Sequence, residues 1–261
     1  MIRDLTELLR KAKNRPKRTV AIAAAENEHV LKALKDAVKE EIIIPLLIGD
    51  KTEIERIAFS IGFDLSNFDI IDNREGAAVS ARIAVENIKN GDADIIMKGF
   101  VSTGELLKAV LDKESGLHYN QLLSHVAFFQ SPYYHKIFCV TDVAMNIAPG
   151  LYEKAQIIEN AVNACQLLGI EKPKVAVAAA VEKVNPKMEA TVHAAQLKEM
   201  NLDGRIKGCV VDGPFAIDIA VNREAARNKG IESEVAGDCF SSRRRHTRLR
   251  RGICFTKHLT F

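Results

Sequence analysis

A chain of 261 residues, 47% of them apolar, is long enough for one large or two ordinary α/β domains. No apolar run reaches membrane-spanning length and the N-terminus lacks the apolar centre of a signal peptide, so we expect a cytoplasmic protein without a membrane partner. The net charge of +3 becomes −4 for residues 1–240 once the +7 of the last 21 residues is set aside, so the folded body is not expected to bind nucleic acid.

After an amphipathic helix predicted at Asp4–Lys13, the first half of the chain alternates short aliphatic runs with helical patterns. The predicted strands are Thr19–Ala25, Ile44–Gly49, Phe68–Asp72 and Asp94–Lys98. The predicted helices are Glu28–Glu41, Lys51–Ile61, Gly76–Asn90 and Thr103–Lys113. Strands separated by single helices predict right-handed crossovers and a mainly parallel sheet that helices cover on both faces.

A second series of the same kind follows. Its predicted strands are Lys136–Asp142, Lys174–Ala180 and Lys207–Asp212, and its predicted helices are Leu151–Leu168, Pro186–Met200 and Ile219–Asn228. Between the two series, "SHVAFFQSPYYHK" has no helical period and predicts an antiparallel or edge segment. We therefore predict an α/β fold of two lobes with mainly parallel sheets and a cleft between the lobes. The first domain is predicted at residues 1–134 and the second at 135–240.

Nearly every predicted strand ends in polar residues. In open parallel sheets, ligands bind beyond the carboxyl ends of the strands, where the next helix offers unpaired N–H groups. These residues are Glu26-Asn27, Gly49-Asp50, Lys98-Gly99, Thr141-Asp142, Asn146, Glu182, Asn185 and Asp212-Gly213-Pro214. For any one of them, a structural role as a helix cap or a partner of backbone donors is favoured over a functional one.

The stretch "MKGFVSTG" is harder to explain by structure alone. Lys98 ends a strand that the pattern predicts to be buried, where an ammonium needs an anion or access to solvent. Lys98 and Gly99, followed by Ser102 and Thr103 at a helix N-terminus, suit a phosphate; a helix N-cap at Ser102 or Thr103 is the alternative. The nucleotide-binding motifs GxxxxGK[ST] and GxGxxG are absent.

In "LLSHVAFF", a hydroxyl precedes an imidazole at Ser124-His125. Adjacent residues of a strand point to opposite faces and no GxSxG elbow is present, so a Ser–His–Asp hydrolase is disfavoured. Donation of a hydrogen bond from either side chain to an anionic substrate remains open. The five cysteines are scattered, with no CxxC pair and no histidine at ligand spacing, which favours reduced thiols over disulfides or zinc.

Several longer stretches together resemble the phosphate acyltransferase family, which comprises the phosphate acetyl- and butyryltransferases. They are "ADIIMKGFVSTGELLKAVLDKESGL", "LLSHVAFF", "VTDVAMNIAPGLYEKAQIIENAV", "PKVAVAAAVEKVNPKMEATVHAA", "IKGCVVDGPFAIDIAV" and "SEVAGD". The resemblance covers residues 1–238 in family order. Of these motifs, "NPKMEAT" and "VDGP" are specific to the butyryl-type branch.

The resemblance implies an enzyme that transfers a short-chain acyl group, butanoyl, between coenzyme A and inorganic phosphate. It also implies a phosphotransacylase or isopropylmalate-dehydrogenase-like fold that forms a homodimer or higher homo-oligomer, with acyl-CoA and phosphate bound in the interdomain cleft. Coenzyme A is then a substrate, and neither a permanent cofactor nor a metal is expected. The substrate-binding residues expected from the family are Lys98, Gly99, Ser102, Thr103, His118, Asp142, Asn146, Asp212 and Gly213, with Ser124 and His125 as catalytic candidates.

The chain departs from the family pattern in two places. Where relatives usually read "GLR", it has Gly116-Leu117-His118, so an imidazole replaces an arginine suited to bidentate phosphate binding. After "VAGD", the family's "DILLVP" strand and "TSRAD"-type segment, which holds the Ser-Arg pair implicated in catalysis, are missing. A basic tail at 241–261 stands there and resembles translated sequencing-adapter DNA. We therefore expect an incomplete second domain, an inactive chain, and a disordered or poorly packed segment at 239–261.

Four other functions remain as alternatives. One is a phosphate acetyltransferase, and another is a truncated chain that binds phosphate or coenzyme A without turnover. A third is nucleic-acid binding by the arginine-rich arm. A metal-dependent decarboxylating dehydrogenase of the same architecture is the fourth; it would need clustered Asp ligands and a cofactor loop that we do not find in the sequence.

Overall fold

The computed structural model describes residues 4–117, 121–131, 134–237 and 252–255. The chain divides into two compact units. The N-terminal unit is Leu9–Asn120, and the C-terminal unit is Met1–Leu8 together with Gln121–Phe261. None of the helices within those described ranges is long and apolar enough to cross a membrane.

In the described part of the N-terminal unit, four parallel strands alternate with helices, which confirms the predicted α/β class. The strands are β1 (Arg18–Ala23), β2 (Ile43–Gly49), β3 (Ile70–Asp72) and β4 (Ile95–Lys98). The helices are α1 (Leu5–Lys13), which starts before this unit, α2 (Glu28–Lys39), α3 (Lys51–Ser60), α4 (Ala77–Asn90) and α5 (Thr103–Val110). The sheet order is β3-β2-β1-β4.

Strand β1 is buried on both faces, as its nearly continuous apolar sequence predicts. Because side chains alternate along a strand, Val20 and Ile22 pack into a cluster with residues of α2 and α3, while Ala21 and Ala23 face residues of α4 and α5. Burial of a large aliphatic side chain such as that of Ile22 contributes about 1.5–3 kcal/mol. The two clusters fix the sheet between two helical layers.

Strand β4 is an edge strand, and the prediction that it is buried is wrong. In the described residues it pairs with β1 on one side only. Ile95 is 47% exposed and Lys98 is exposed. The apolar run predicted burial because sequence alone does not show which strand of a parallel sheet lies at its edge.

The C-terminal unit contains a second α/β layer structure. Its described strands are β5 (Val126–Ser131), β6 (Tyr134–Thr141), β7 (Lys174–Ala178), β8 (Val210–Phe215) and β9 (Gly252–Phe255). Its remaining helices are α6 (Leu151–Leu167), α7 (Glu189–Leu202), α8 (Ile217–Val221) and α9 (Arg223–Asn228). The sheet order is β5-β6-β9-β7-β8, and every pair is parallel except β5 with β6.

The antiparallel pairing of β5 with β6 confirms the interpretation of the segment between the two series as an antiparallel or edge strand. It also places β5 in the C-terminal unit, whereas the sequence pattern put the boundary after residue 134. Antiparallel strands need only a short connection, so β5 stays with the strand that follows it. The domain limits 1–134, 135–240 and 241–261 otherwise stay a prediction.

One predicted helix, Ile219–Asn228, is two helices in the structure. Asn222 adopts an extended backbone and its side chain accepts hydrogen bonds from the N–H groups of Glu224 and Ala225. This is the geometry of an N-cap, so Asn222 ends α8 and begins α9. The apolar period runs through the break, which is why the pattern predicted a single helix.

Part of the basic tail contributes a strand. Gly252–Phe255 forms β9, which lies between β6 and β7 and is parallel to both. The expectation that residues 239–261 are disordered or poorly packed is therefore wrong for these four residues. Their sequence, "GICF", is uncharged and apolar, as a strand with neighbours on both sides requires. The arginine run lies outside the described residues.

Candidate functional site

Lys98 ends β4, at the edge of the sheet where the carboxyl ends of the parallel strands meet. Its Nζ donates a hydrogen bond to the carbonyl oxygen of Val101 at 2.6 Å. In the part of the chain that the structure describes, no carboxylate forms an ion pair with Lys98. An ammonium has three donor hydrogens, so two remain for an anion. Phosphate binding by Lys98 stays a prediction that this geometry allows.

Gly99 is buried where the chain leaves β4 and crosses the end of β1. Its N–H donates to the carbonyl oxygen of Ala23 at 2.9 Å, and a Cβ at this position would lie 2.0 Å from the carbonyl oxygen of Ala24. Only glycine fits so close an approach of two backbone segments. The Gly99 N–H is thus occupied within the unit, and a phosphate contact by Gly99 stays a prediction.

Ser102 is the N-cap of α5 and forms a capping box with Glu105. Its Oγ accepts from the Glu105 N–H at 3.2 Å and donates to the Glu105 carboxylate at 2.6 Å. Hydrogen bonds from the hydroxyl and the N–H of Ser102 hold the pKa of Glu105 below its usual value. The alternative interpretation of Ser102 as a cap is confirmed. Thr103, the next residue, is exposed at the first helical position.

Two other strand ends of the N-terminal unit also carry helix caps. The Asn27 side chain accepts from two N–H groups at the start of α2, and Asp50 does the same for α3. Both residues therefore have the structural role that was favoured for each strand-end residue taken singly.

In the C-terminal unit, residues 122–125 run beside the carboxyl end of β6, and α6 side chains hold this segment. Gln156 Oε1 accepts from the N–H of Leu122 at 3.1 Å. Asn160 Nδ2 lies 2.9 Å from both the carbonyl oxygen of Leu122 and the Oγ of Ser124. Gln156 and Asn160 are four residues apart, so they project from the same face of α6.

Asp142 holds the other end of the 122–125 segment. It is buried and adopts a left-handed backbone with φ of 50°. Its N–H donates to the carbonyl oxygen of His125 at 2.8 Å, while its carboxylate accepts from the N–H groups of His125, Met145 and Asn146 at 3.2–3.5 Å. The Asn146 amide in turn donates to the carbonyl oxygen of Leu123 at 3.1 Å. Asp142 therefore satisfies backbone donors at the sheet end, and Asn146 supports the same segment.

The side chains that this framework presents are those of Ser124 and His125. The Ser124 hydroxyl receives one hydrogen bond, from Asn160, and among the described residues its own hydrogen has no acceptor. The His125 Nδ1 atom is buried and has no hydrogen-bond partner in the described residues. Polar atoms without a partner are uncommon in protein interiors, so the unpartnered Nδ1 of His125 is an unusual feature of this segment.

Asp212 and Gly213 lie apart from Ser124, within β8. The Asp212 carboxylate pairs with Lys198 Nζ of α7 at 2.9 Å and accepts from the Ser233 hydroxyl at 2.5 Å. A Cβ at Gly213 would lie 2.6 Å from the carbonyl oxygen of Val177. These contacts join β8 to its neighbours, and substrate binding by Asp212 and Gly213 stays a prediction.

Comparison with known proteins decides the family. A model of the family described as phosphate acetyl/butaryl transferase matches residues 4–82 and 78–239. The chain belongs to this family.

Among relatives, the chain is 46% identical to the phosphate butyryltransferase of Clostridium acetobutylicum over 91% of this chain and 78% of the relative. It is 41% identical to the phosphate acetyltransferase of Thermotoga maritima over 89% of this chain and 78% of that one. Among solved structures, a branched-chain phosphotransacylase from Enterococcus faecalis matches with a TM-score of 0.73 and 30% identity, over 91% of this chain and 79% of that chain.

In this phosphate acyltransferase chain, the structure brings some of the predicted site residues together and leaves others apart. Ser124, His125, Asp142 and Asn146 are brought together around the 122–125 segment. Lys98 to Thr103 form a continuous junction in the N-terminal unit. His118, the predicted substitute for an arginine, lies outside the described residues.

Sequence reasoning missed the residues of α6 that hold the 122–125 segment. Gln156 and Asn160 lie four positions apart on the side of α6 away from its buried residues, where polar residues are ordinary, so the sequence offered no signal for their role. It also missed Lys154, a buried lysine whose Nζ lies 2.6 Å from His193 Nδ1 of α7. The two nitrogen atoms are within hydrogen-bonding distance, and His193 Nε2 lies 3.5 Å from Glu189.

Cys139 and Cys209 of this acyltransferase chain are poor nucleophiles. A hydrogen bond with Cys165, and then burial, raise the pKa of Cys139 well above its usual range. Burial raises the pKa of Cys209 to about 11. Because the thiolate is the reactive form, neither thiol suits an acyl-enzyme step at neutral pH. Within the described ranges, no cluster of His, Cys, Asp and Glu could hold a metal ion.

Proposed function

We propose that this chain transfers a butanoyl group between coenzyme A and inorganic phosphate with residues of its own. The inactivity expected from the missing Ser-Arg segment is the competing prediction, and CoA release by the chain decides between the two. The observation that carries the proposal is the 46% identity to a phosphate butyryltransferase over 91% of the chain. The family match from residue 4 to residue 239 supports the same reaction class. Coenzyme A is a substrate in this proposal, and no resident cofactor takes part.

The reaction requires two charge-stabilising groups and a proton carrier. A phosphate oxygen attacks the thioester carbonyl carbon, forming a C–O bond and a tetrahedral oxyanion. The oxyanion then collapses, the C–S bond breaks, and the electron pair leaves with sulfur, which takes up a proton to give free CoA. Donors aimed at the oxyanion contribute most to the rate of such a step.

We assign these tasks to the groups whose hydrogen-bonding capacity remains unused. The Lys98 ammonium, with two donor hydrogens left, suits the phosphate dianion. The hydrogen of the Ser124 hydroxyl suits the oxyanion, because Asn160 occupies only an acceptor site of that hydroxyl. His125, the other catalytic candidate beside Ser124, is assigned proton delivery to the leaving sulfur.

Acetyl transfer is the second candidate, because the chain is 41% identical to a phosphate acetyltransferase. The two activities differ by two methylenes in the acyl group. A hydrophobic pocket typically distinguishes one methylene by about 10–200-fold in kcat/KM. The ratio of the two substrates therefore decides between the candidates.

The test is CoA release by the purified chain from butanoyl-CoA and phosphate, followed with a thiol reagent, with acetyl-CoA in parallel. We expect kcat/KM for butanoyl-CoA to exceed that for acetyl-CoA at least about tenfold. The reverse ratio would establish the acetyl-type activity. Binding of butanoyl-CoA by calorimetry without any CoA release would instead identify a chain that binds substrate without turnover.

We also propose a cytoplasmic homodimer or higher homo-oligomer. The cysteines support a reducing compartment, since Cys139, Cys165 and Cys209 are buried free thiols. The oligomeric state rests on family resemblance alone. Light scattering coupled to gel filtration measures it, and a monomeric mass at micromolar concentration would contradict it.

A further inference from the structure

The amide of Asn160 makes two contacts with the 122–125 segment through one atom. Its Nδ2 lies 2.9 Å from the Leu122 carbonyl oxygen and 2.9 Å from the Ser124 Oγ. Both acceptors are more than 30 positions away in the sequence, so α6 and not the local chain sets the position of this serine.

The Leu122 contact determines the direction of the Ser124 contact. A carbonyl oxygen can only accept, so the atom of Asn160 that faces it must be the amide nitrogen, and the two ends of the amide cannot be exchanged. The same nitrogen therefore donates to Ser124 Oγ. A hydroxyl has one donor hydrogen and two acceptor sites, so the hydrogen of Ser124 stays unused among the described residues.

We propose that Asn160 is a positioning residue that fixes Ser124 as a hydrogen-bond donor to the oxyanion of the acyl-transfer step. The assignment rests on the proposed acyl transfer, and it adds a residue that acts only through Ser124. The direction of the hydrogen bond is the essential point. With a carboxylate at position 160, Ser124 would donate its hydrogen to that carboxylate and would have none for the oxyanion.

The first experiment compares Asn160→Asp with Asn163→Asp. Both variants change an amide to an acid on α6, but Asn163 is exposed and, among the described residues, forms no hydrogen bond with the 122–125 segment, which makes it the matched control for added charge. We expect Asn160→Asp to lower kcat about 100-fold and to change KM for phosphate less than threefold. Asn163→Asp should stay within about threefold of the wild type in both constants.

A double-mutant cycle with Ser124→Ala shows whether Asn160 acts through the serine. In the Ser124→Ala background, Asn160→Asp should lower kcat less than about threefold, because the group it orients is gone. Additive losses, or equal losses in Asn160→Asp and Asn163→Asp, would overturn the assignment.

A readout that needs no turnover separates this assignment from the proposed function. In Ser124→Cys, a donor at Asn160 stabilises the thiolate, so iodoacetamide should label the thiol about tenfold faster at pH 7.5 than in Ser124→Cys/Asn160→Asp. Mass spectrometry of the peptide containing position 124 measures the rate. Equal rates would refute the donor role of Asn160 whether or not the wild type turns over. Faster labelling in a chain that releases no CoA would uphold the hydrogen-bond direction and refute the acyl transfer.

Discussion

The junction between β4 and α5 and the 122–125 segment both carry hydroxyl groups beside the end of a parallel strand, but they are held in opposite ways. At the junction, Lys98 and Ser102 bond to groups three positions away in the sequence. In the 122–125 segment, the partners come from positions 16 to 38 residues away. A local cap uses both the donor and an acceptor of its serine. The side chains that hold the 122–125 segment leave the hydrogen of Ser124 available; we call them the distant clamp, and they are those of Asp142, Asn146, Gln156 and Asn160.

The largest effect is expected from replacing Asp142, which belongs to the distant clamp. Asp142→Ala leaves three backbone N–H groups without their carboxylate and places alanine at a φ of 50°. We expect a loss of about 2–4 kcal/mol in the free energy of unfolding, measured with urea. Asp142→Asn, which keeps an acceptor oxygen and tolerates this backbone, should lose less than half as much. Equal stability of the alanine variant and the wild type would show that Asp142 is not part of a clamp.

A smaller effect, on phosphate binding, is expected from replacing Lys98 at the junction between β4 and α5. Lys98→Ala should raise KM for phosphate about tenfold, which corresponds to about 1.4 kcal/mol, with kcat within about threefold. Lys98→Arg serves as the control, since it keeps the charge. Steady-state kinetics at varied phosphate measure both constants. An unchanged dependence on phosphate would leave Lys98 with only its hydrogen bond to Val101.

A smaller effect is expected at the cap itself. Ser102→Ala removes both hydrogen bonds between this hydroxyl and Glu105 and should cost about 1 kcal/mol in unfolding free energy. Ser102→Thr keeps an N-cap hydroxyl and should cost less. If Ser102→Ala raised KM for phosphate as much as Lys98→Ala does, the hydroxyl would bind substrate as well as cap the helix.

The smallest effect is the pH dependence of that cap. The folded pKa of Glu105 is lowered, so its stabilising contribution is present above the unfolded value of 4.5 and is lost as pH falls through the folded pKa. Hydrogen exchange of the first amides of α5 should therefore lose protection below about pH 4.5 relative to other helices. In Glu105→Gln this loss should disappear, and a loss that persisted in Glu105→Gln would have to come from another group.

Features that depend on neighbouring residues could be predicted from the sequence, and features that depend on distant residues could not. The alternation of β-branched runs and helical periods predicted both parallel sheets, and the caps at Ser102 and Asp50 follow from residue types within one turn. The contacts of the distant clamp could not be predicted from the sequence, because Asn160 and Leu122 are 38 positions apart and a local residue pattern gives no information on contacts so distant in sequence. The position of β4 at the edge of its sheet could not be predicted for the same reason, since the order of the strands in the sheet decides which strands β4 pairs with.

The sheet of the N-terminal unit ends, in its described part, in two short strands of three and four residues, β3 and β4. An open strand edge is a template for pairing with other chains, and short length and charged ends limit that pairing. β4 has such ends, with Asp94 just before it and Lys98 as its last residue. We therefore expect Lys98 to limit such pairing as well. A variant that replaces Lys98 with valine should form aggregates at lower protein concentration than Lys98→Arg, even where phosphate is absent.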